Sequence, residues 1–206
     1  TIDPATGAFT WTPTEAQGPG DYAFAVRASD DGAPALATDQ SVTLHVREMN
    51  QAPALAAIGS RAVAEGSTLA FTAAAGDADL PANALSFSLD PGAPSGVGID
   101  PGTGAFTWTP TEAQGPGDYT VTVRVSDDGS PPRSASEAVS IHVDEVNAAP
   151  ALEAISDRTL DEGAPLSIGA VASDPDLPAN SLTFSLSGAV PAGMSIDAST
   201  GVLSWT

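Results

Sequence analysis

The sequence predicts an all-β protein built from tandem Greek-key β-sandwiches. Three observations predict this fold: an internal repeat of 97 residues, short runs of alternating apolar and polar side chains, and turns rich in Gly, Pro and Asp. Hydrophobic residues make up 42% of the 206-residue chain. This share is too high for an intrinsically disordered acidic chain, so the sequence indicates folded domains.

The repeat is visible in the tryptophans, because Trp11, Trp108 and Trp205 are each separated by 97 residues. The seventeen residues TGAFTWTPTEAQGPGDY occur at 6–22 and again, unchanged, at 103–119. A period of this length is too long for a helical solenoid unit and fits a whole β-sandwich.

This period divides the chain into three segments. Residues 1–50 correspond to the C-terminal half of a repeat, 51–147 to a complete repeat, and 148–206 to the N-terminal half of another. Pro53 and Pro150 mark the boundaries, where they stiffen a short extended connection. We expect the chain to be a segment of a larger protein.

Within the complete repeat, five runs alternate between apolar and polar residues: Thr68–Thr72, Leu85–Leu89, Phe106–Trp108, Tyr119–Val125 and Val139–Val143. The connections between them carry turn sequences such as Asp-Pro-Gly and Asp-Gly. About seven short antiparallel strands joined by such turns make an immunoglobulin-like sandwich. Tyr119 begins its strand, as does the tyrosine of a tyrosine corner, whose hydroxyl ties down the preceding loop.

Charge narrows the range of partners. The chain has 26 acidic and 6 basic residues, a net charge of −20 and a pI near 4.1. Such a chain repels phosphate backbones and anionic membranes, so we expect no nucleic-acid partner. It attracts cations instead. The absence of Cys excludes disulfides and thiolate metal sites.

The sequence does not favour catalysis. His45 and His142 are equivalent residues that face away from the apolar side of the last strand, where solvent exposure is expected. There is no nucleophile elbow, no HExxH motif and no phosphate-binding glycine loop. We therefore expect no catalytic residues and no enzyme.

The aromatic residues of the complete repeat all lie on the apolar sides of predicted strands: Phe71, Phe87, Phe106, Trp108 and Tyr119. We expect them in the core rather than on an exposed platform for sugars.

A pattern of oxygen donors points to calcium. Asp77, Asp79 and Asn83 occupy positions i, i+2 and i+6 of a Pro-containing loop, and the next repeat carries Asp174, Asp176 and Asn180. Ca²⁺ takes six to eight oxygens, more than one loop supplies. Further acids lie near other predicted sandwich ends, namely Glu65, Glu112, Asp127 and residues 144–147. The alternative for each acid is a solvated side chain or an Asx turn.

Three segments resemble cadherin repeats. IDPGTGAFTW (99–108) is similar to the cadherin I-D-P-x-T-G run, and AGDADLPANALSFSL (75–89) to the A-x-D-x-D…N…L-x-Y-S-L segment. VRVSDDGSPPRSASEAVSIHVDEVNAAP (123–150) resembles the cadherin ending that leads to D-x-N-D-N-A-P. The chain most resembles bacterial cadherin-like tandem repeats of the dystroglycan-type, "putative Ig" kind.

This resemblance implies a calcium site at each junction between repeats. At the second junction the implied ligands are Glu65, Glu112, Asp144, Asn147, Asp174, Asp176 and Asn180. At the first junction they are Glu15, Asn50, Asp77, Asp79, Asn83 and Asp127. Asp30 and Glu162, one repeat away from Asp127 and Glu65, complete the candidates. Arg47 stands where the second junction has Asp144.

The resemblance implies a non-catalytic, calcium-binding, rigid extracellular spacer or adhesion module of a large bacterial surface or secreted protein. Its partners would be neighbouring repeats of the same chain, with homophilic, cell-surface or glycan partners reached through other domains. Two alternatives remain open. One is a carbohydrate-binding accessory module of a secreted polysaccharide-degrading enzyme, and the other is an Ig-like spacer that needs no metal.

Overall fold

The computed structural model describes all 206 residues and is all-β apart from two single-turn 3-10 helices, η1 (Glu15–Gln17) and η2 (Glu112–Gln114). The strands are β1 (Gly20–Ser29), β2 (Ala37–Val46), β3 (Ala54–Leu55), β4 (Arg61–Ala64), β5 (Leu69–Thr72), β6 (Ala75–Gly76), β7 (Leu85–Leu89), β8 (Gly98–Ile99), β9 (Ala105–Trp108), β10 (Gly117–Asp127), β11 (Ser134–Asp144), β12 (Ala151–Leu152), β13 (Leu166–Gly169), β14 (Ala172–Ser173), β15 (Ser195–Ile196) and β16 (Val202–Trp205). Neither helical turn is long enough to span a membrane.

Residue contacts divide the chain into two compact units. Unit 1 contains Thr1–Gly59, Ala70–Thr107 and Thr120–Val139, and unit 2 contains Ser60–Leu69, Trp108–Tyr119 and Ser140–Thr206. Each unit therefore holds residues from both sides of one predicted repeat boundary.

In unit 1, β1 and β2 form a ten-residue antiparallel hairpin whose ends pair Gly20 with Val46 and Ser29 with Ala37. The end of β10 pairs antiparallel with β7, β8 with β9, and β3 with β6. The buried apolar side chains of the unit are Ile58, Ala73, Phe87, Phe106, Val121, Val123, Val125 and Val139. Phe106 stacks on Phe71 with a centroid distance of 4.4 Å.

In unit 2, β4 pairs parallel with the end of β11, and β13–β16–β15 form an antiparallel sheet. The buried apolar side chains are Val63, Trp108, Ile141, Val143 and Ala170. Trp108 packs edge-on against Tyr119 at 5.1 Å. The Tyr119 hydroxyl donates to the Gln114 carbonyl at 2.8 Å, which confirms the predicted tie between this tyrosine and its preceding loop.

The strands predicted within the complete repeat are present. They belong to a four-stranded sheet of order β4-β11-β10-β7 and a three-stranded sheet of order β5-β9-β8. β7 has the predicted bounds, whereas β10 and β11 extend beyond the alternating apolar runs. They extend because backbone pairing, and not the apolar pattern, sets the ends of a strand: β10 ends at the buried polar residue Asp127 and β11 at the exposed Asp144.

Trp108 tests how strongly the core depends on the repeated aromatic residue, since it is 1% exposed. We expect Trp108→Ala to lower the free energy of unfolding by about 3–5 kcal/mol, because a large buried side chain is lost and leaves a cavity. Thr107→Ala, on the exposed side of the same strand, should change it by less than about 0.5 kcal/mol. Urea unfolding measures both. An equal cost for the two variants would contradict this packing.

Candidate metal centres

The structure gathers carboxylates into two clusters. The first contains Glu15, Glu48 and Asp79, and the second contains Glu65, Glu112 and Glu145. In each cluster, one carboxylate oxygen from every residue lies within 4.8 Å of the others. The first cluster lies in unit 1 and the second in unit 2.

Glu65 is the most buried residue of the second cluster, at 6% exposure. It follows β4, and its backbone N–H donates to the Asp144 carbonyl at 3.0 Å, which continues the parallel pairing of β4 with β11. Its Oε1 accepts from the Val146 N–H at 3.1 Å. Its Oε2 is buried and has no hydrogen-bond partner. A buried carboxylate oxygen of this kind requires compensation of its charge, because it has lost its hydration without gaining a hydrogen bond.

Glu145 increases this requirement, because both of its carboxylate oxygens are buried and unpartnered. Burial raises the pKa of Glu145, and the negative charges of Glu65, Glu112 and Asp176 raise it further. The second cluster is therefore a site of concentrated, poorly solvated negative charge.

The third carboxylate belongs to Glu112, the first residue of η2. Thr111 caps the start of this turn, and its N–H donates to the Gln114 side chain. Glu112 Oε1 accepts from the Leu177 N–H at 2.8 Å. Gly115 follows the turn, and a Cβ there would lie 2.0 Å from Glu65 Oε2. Only glycine at this position leaves room for the Glu65 carboxylate.

The aspartate loop of unit 2 is held by its own hydrogen bonds. Asp174 Oδ1 accepts from the backbone N–H groups of Asp176 and Asn180, which forms an Asx-type turn. Asp176 is 1% exposed and accepts from the Ala148 N–H and the Asn180 amide at 3.0 and 2.7 Å. The Asn180 amide also donates to Asn147 Oδ1 at 2.8 Å.

The aspartate loop of unit 1 repeats this arrangement. Asp77 Oδ1 accepts from the N–H groups of Asp79 and Asn83. Asp79 is 1% exposed and accepts from the Gln51 N–H and the Asn83 amide. The Asn83 amide also donates to Asn50 Oδ1 at 2.6 Å.

Asp127 extends the network of unit 1. Its Oδ1 accepts from the Asn50 amide at 3.1 Å and from the N–H groups of Gly129 and Arg133. Its Oδ2 is buried without a partner, and so is Asp77 Oδ2. A Cβ at Gly129 would lie 1.9 Å from Asn50 Oδ1, so glycine is required here for the same reason as at Gly115.

The structure thus brings most of the residues implied at each junction into one hydrogen-bonded or closely spaced group. The exceptions are Asp30, Asp144 and Glu162. Asp30 Oδ1 caps the exposed loop after β1 by accepting from Gly32 and Leu36. Asp144 lies 3.5 Å from His142 instead of in the second cluster, and Glu162 is exposed and belongs to neither cluster.

Glu48 and Glu145 are cluster members that the ligand sets implied at the junctions did not include, although Glu145 lies within the acidic range 144–147. Strand alternation explains both the omission and the placement of Asp144. Val143 is buried, so Asp144 faces outward and the next residue, Glu145, turns inward. The 97-residue spacing of Glu48 and Glu145 is the signal that would have identified them.

The donor set fits calcium. Both clusters offer only oxygen atoms, several of them on anionic carboxylates, and the unpartnered oxygens of Glu65 and Glu145 supply free coordination sites. Hard cations such as Ca²⁺ take this kind of ligand set, with six to eight oxygens at about 2.3–2.6 Å. No thiolate is present, and no imidazole belongs to either cluster.

The fold and the repeated clusters define a tandem immunoglobulin-like, cadherin-like repeat protein. A family model described as "Putative Ig domain" matches residues 52–144 and 149–206, which is most of the chain. The chain belongs to this "Putative Ig domain" family.

Cadherins are among its relatives. Human Protocadherin Fat 1 is 34% identical over 157 residues, an alignment that covers 71% of this chain and 3% of that protein. Mouse cadherin-23 EC22-24 superimposes with a TM-score of 0.55 at 23% identity, covering 89% of this chain and 63% of that structure. Human CDH23 EC21-23 gives 0.51 at 23% identity, covering 80% and 57%. The chain spans less than two thirds of each, and the two structures show a shared fold.

Gly115→Ala tests the packing of the second cluster. The new Cβ would displace the Glu65 carboxylate, so we expect calcium affinity at this cluster to fall on the order of tenfold or more, as when a ligand loses its orienting contacts. Isothermal titration calorimetry measures the affinity. Gly102→Ala is the control, because its Cβ would meet only an ordinary contact at 3.6 Å. Equal affinities for both variants would contradict this packing.

The raised pKa of Glu145 predicts a pH effect in calcium-free buffer. Between the ordinary value of 4.5 and the raised value, the native state binds more protons than the unfolded state. The free energy of unfolding should therefore rise as pH falls through the raised pKa of Glu145 towards its ordinary value of 4.5. The raised pKa of His142, caused first by its hydrogen bond to Asp118, acts in the same direction. The test therefore compares the pH profile of the free energy of unfolding in the natural sequence with the profile in Glu145→Gln. The variant should have the flatter profile. Parallel profiles would contradict the prediction.

Proposed function

We propose that both clusters bind Ca²⁺ and that the chain is a non-catalytic, rigid extracellular spacer or adhesion module. The observation that carries this proposal is the buried, unpartnered Glu65 Oε2 beside Glu112 and Glu145. Leaving such charges uncompensated costs free energy, and a divalent cation compensates several of them at once.

In unit 2 the ion would be held by Glu65, Glu112 and Glu145, with the oxygens of Asn147, Asp174, Asp176 and Asn180 as the remaining donors. In unit 1 the corresponding donors are Glu15, Glu48, Asn50, Asp77, Asp79, Asn83 and Asp127. The ion supplies positive charge between the acids, while the hydrogen bonds within each aspartate loop hold the donors in place.

Stiffening follows from where these donors come in the sequence. Glu112 and Glu145 precede the repeat boundary after residue 147, whereas Asp174 and Asp176 follow it. An ion bound by both groups would join the end of one repeat to the start of the next. Hydrogen bonds already cross this repeat boundary, since the Leu177 N–H donates to Glu112 and the Asn180 amide donates to Asn147.

The likeness to cadherin repeats supports an extracellular setting. The partners in this proposal are neighbouring repeats of the same chain. The carbohydrate-binding alternative lacks a platform in the complete repeat. Phe87, Phe106 and Trp108 are each less than 10% exposed, and the half-buried rings of Phe71 and Tyr119 pack on Phe106 and Trp108. These packed rings do not form an exposed platform for a sugar.

Calcium should raise the melting temperature, because ligand binding to the native state alone shifts the unfolding equilibrium. Differential scanning calorimetry with calcium and with chelator tests this. Asp174→Ala should remove more of the increase than Asn180→Ala, since it removes a charged donor. Asp157→Asn, an exposed acid outside both clusters, is the control and should retain the full increase. Identical curves with millimolar calcium and with chelator would refute calcium binding.

Stiffening needs its own measurement, because metal binding and a change in the flexibility of the chain are separate properties. Small-angle X-ray scattering should give a narrower distribution of shapes with calcium than with chelator. A calcium-dependent melting temperature with unchanged scattering would support metal binding and refute the spacer mechanism.

A further inference from the structure

A second kind of donor group lies on the outer face of unit 2, apart from the acidic clusters. His142 and Asp144 are two residues apart on β11, so both point to the same face of the sheet. Asp118, on β10, lies beside His142. We propose that His142 and Asp144 form a site for an imidazole-binding divalent cation such as Zn²⁺, with Asp118 orienting the histidine.

Asp118 determines which ring nitrogen is free. The distance from His142 Nδ1 to Asp118 Oδ1 is 2.7 Å, and a carboxylate accepts hydrogen bonds, so Nδ1 carries the proton. In the neutral ring, Nε2 then presents its lone pair. A metal-binding histidine typically donates its other N–H to a carboxylate in this way, which fixes the ring and increases its basicity.

The free nitrogen faces another lone-pair donor. His142 Nε2 lies 3.5 Å from Asp144 Oδ1, and in the neutral ring no proton separates them. With zinc–nitrogen and zinc–oxygen lengths of about 2.1 Å, this separation corresponds to an angle of about 113° at the metal, near the tetrahedral value. The distance between the two donors therefore fits their sharing one zinc ion.

The site is open, because the side chains of His142 and Asp144 are 51% and 58% exposed. Two coordination positions would remain for water or for a donor from another molecule. Imidazole with carboxylate suits zinc and similar transition metals, whereas calcium prefers oxygen donors alone. This site would therefore be selective for a different metal from the acidic clusters, and it does not depend on their binding calcium.

The first repeat supplies an internal comparison. His45 keeps the carboxylate partner, with its Nδ1 2.5 Å from Asp21 Oδ1. Arg47, however, replaces the second donor at the position of Asp144. Without that donor, and with a guanidinium in the sequence position of a ligand, His45 should bind zinc much more weakly.

The experiment titrates Zn²⁺ into the full chain at pH 8 in saturating calcium, which occupies the oxygen sites. The chain has two histidines, so their ring proton resonances can be followed separately by NMR. We expect the His142 resonances to respond at zinc concentrations at least tenfold lower than those of His45. Asp144→Asn and Asp118→Asn should each weaken binding at His142 on the order of tenfold or more, and Asp157→Asn should not.

Arg47→Asp provides the reciprocal test. It recreates the His142–Asp144 pair in the first repeat, so it should bring zinc affinity at His45 to within about threefold of that at His142. This gain does not depend on whether the Asp144 variants fold. The proposal is overturned if both histidines respond equally in the natural sequence, if zinc binding persists unchanged in Asp144→Asn, or if Arg47→Asp gains nothing.

Discussion

Burial of carboxylates beside a repeat boundary is the constraint on which much of this structure depends. Glu65, Asp79, Asp127 and Asp176 are each less than 10% exposed, and removing a carboxylate from water costs free energy unless its charge is compensated. Backbone N–H groups and asparagine amides compensate part of this charge. Glycine at positions 115 and 129 leaves the space that the surrounding side chains occupy. The unpartnered oxygens of Glu65, Asp77, Asp127 and Glu145 are where the proposed cation would compensate the remaining charge.

Strand alternation separates two kinds of chemistry at the end of β11. Val143 and Glu145 turn inward, so a carboxylate joins the buried cluster two residues after a core residue. His142 and Asp144 turn outward, where an imidazole and a carboxylate face solvent together. One short segment thereby contributes an oxygen donor to an enclosed site and a nitrogen donor to an open one.

Comparison of the repeats shows which features depend on packing and which can vary. The seventeen identical residues at 6–22 and 103–119 include the core tryptophan, the η turn glutamate and the tyrosine that ties its loop. Each of these residues has a defined contact, so substitution would have a structural cost. Asp144 faces solvent at the end of β11, and its counterpart Arg47, which directly follows β2, carries the opposite charge.

The sequence alone determined the fold class, the repeat and most strands, because these follow from local periodicity. For the aspartate loops it left a solvated side chain or an Asx turn as the alternative to a metal ligand, and the structure shows Asx-type turns at Asp77 and Asp174. Tertiary structure decided which acids come together. Glu145 joins Glu65 and Glu112, while Asp144 pairs with His142, since strand register and side-chain direction decide which of two adjacent acids is buried. Which of Asp144 and Glu145 is buried depends on pairing between segments that are distant in the sequence. The Glu65 N–H, at the end of β4, donates to the carbonyl of Asp144, at the end of β11.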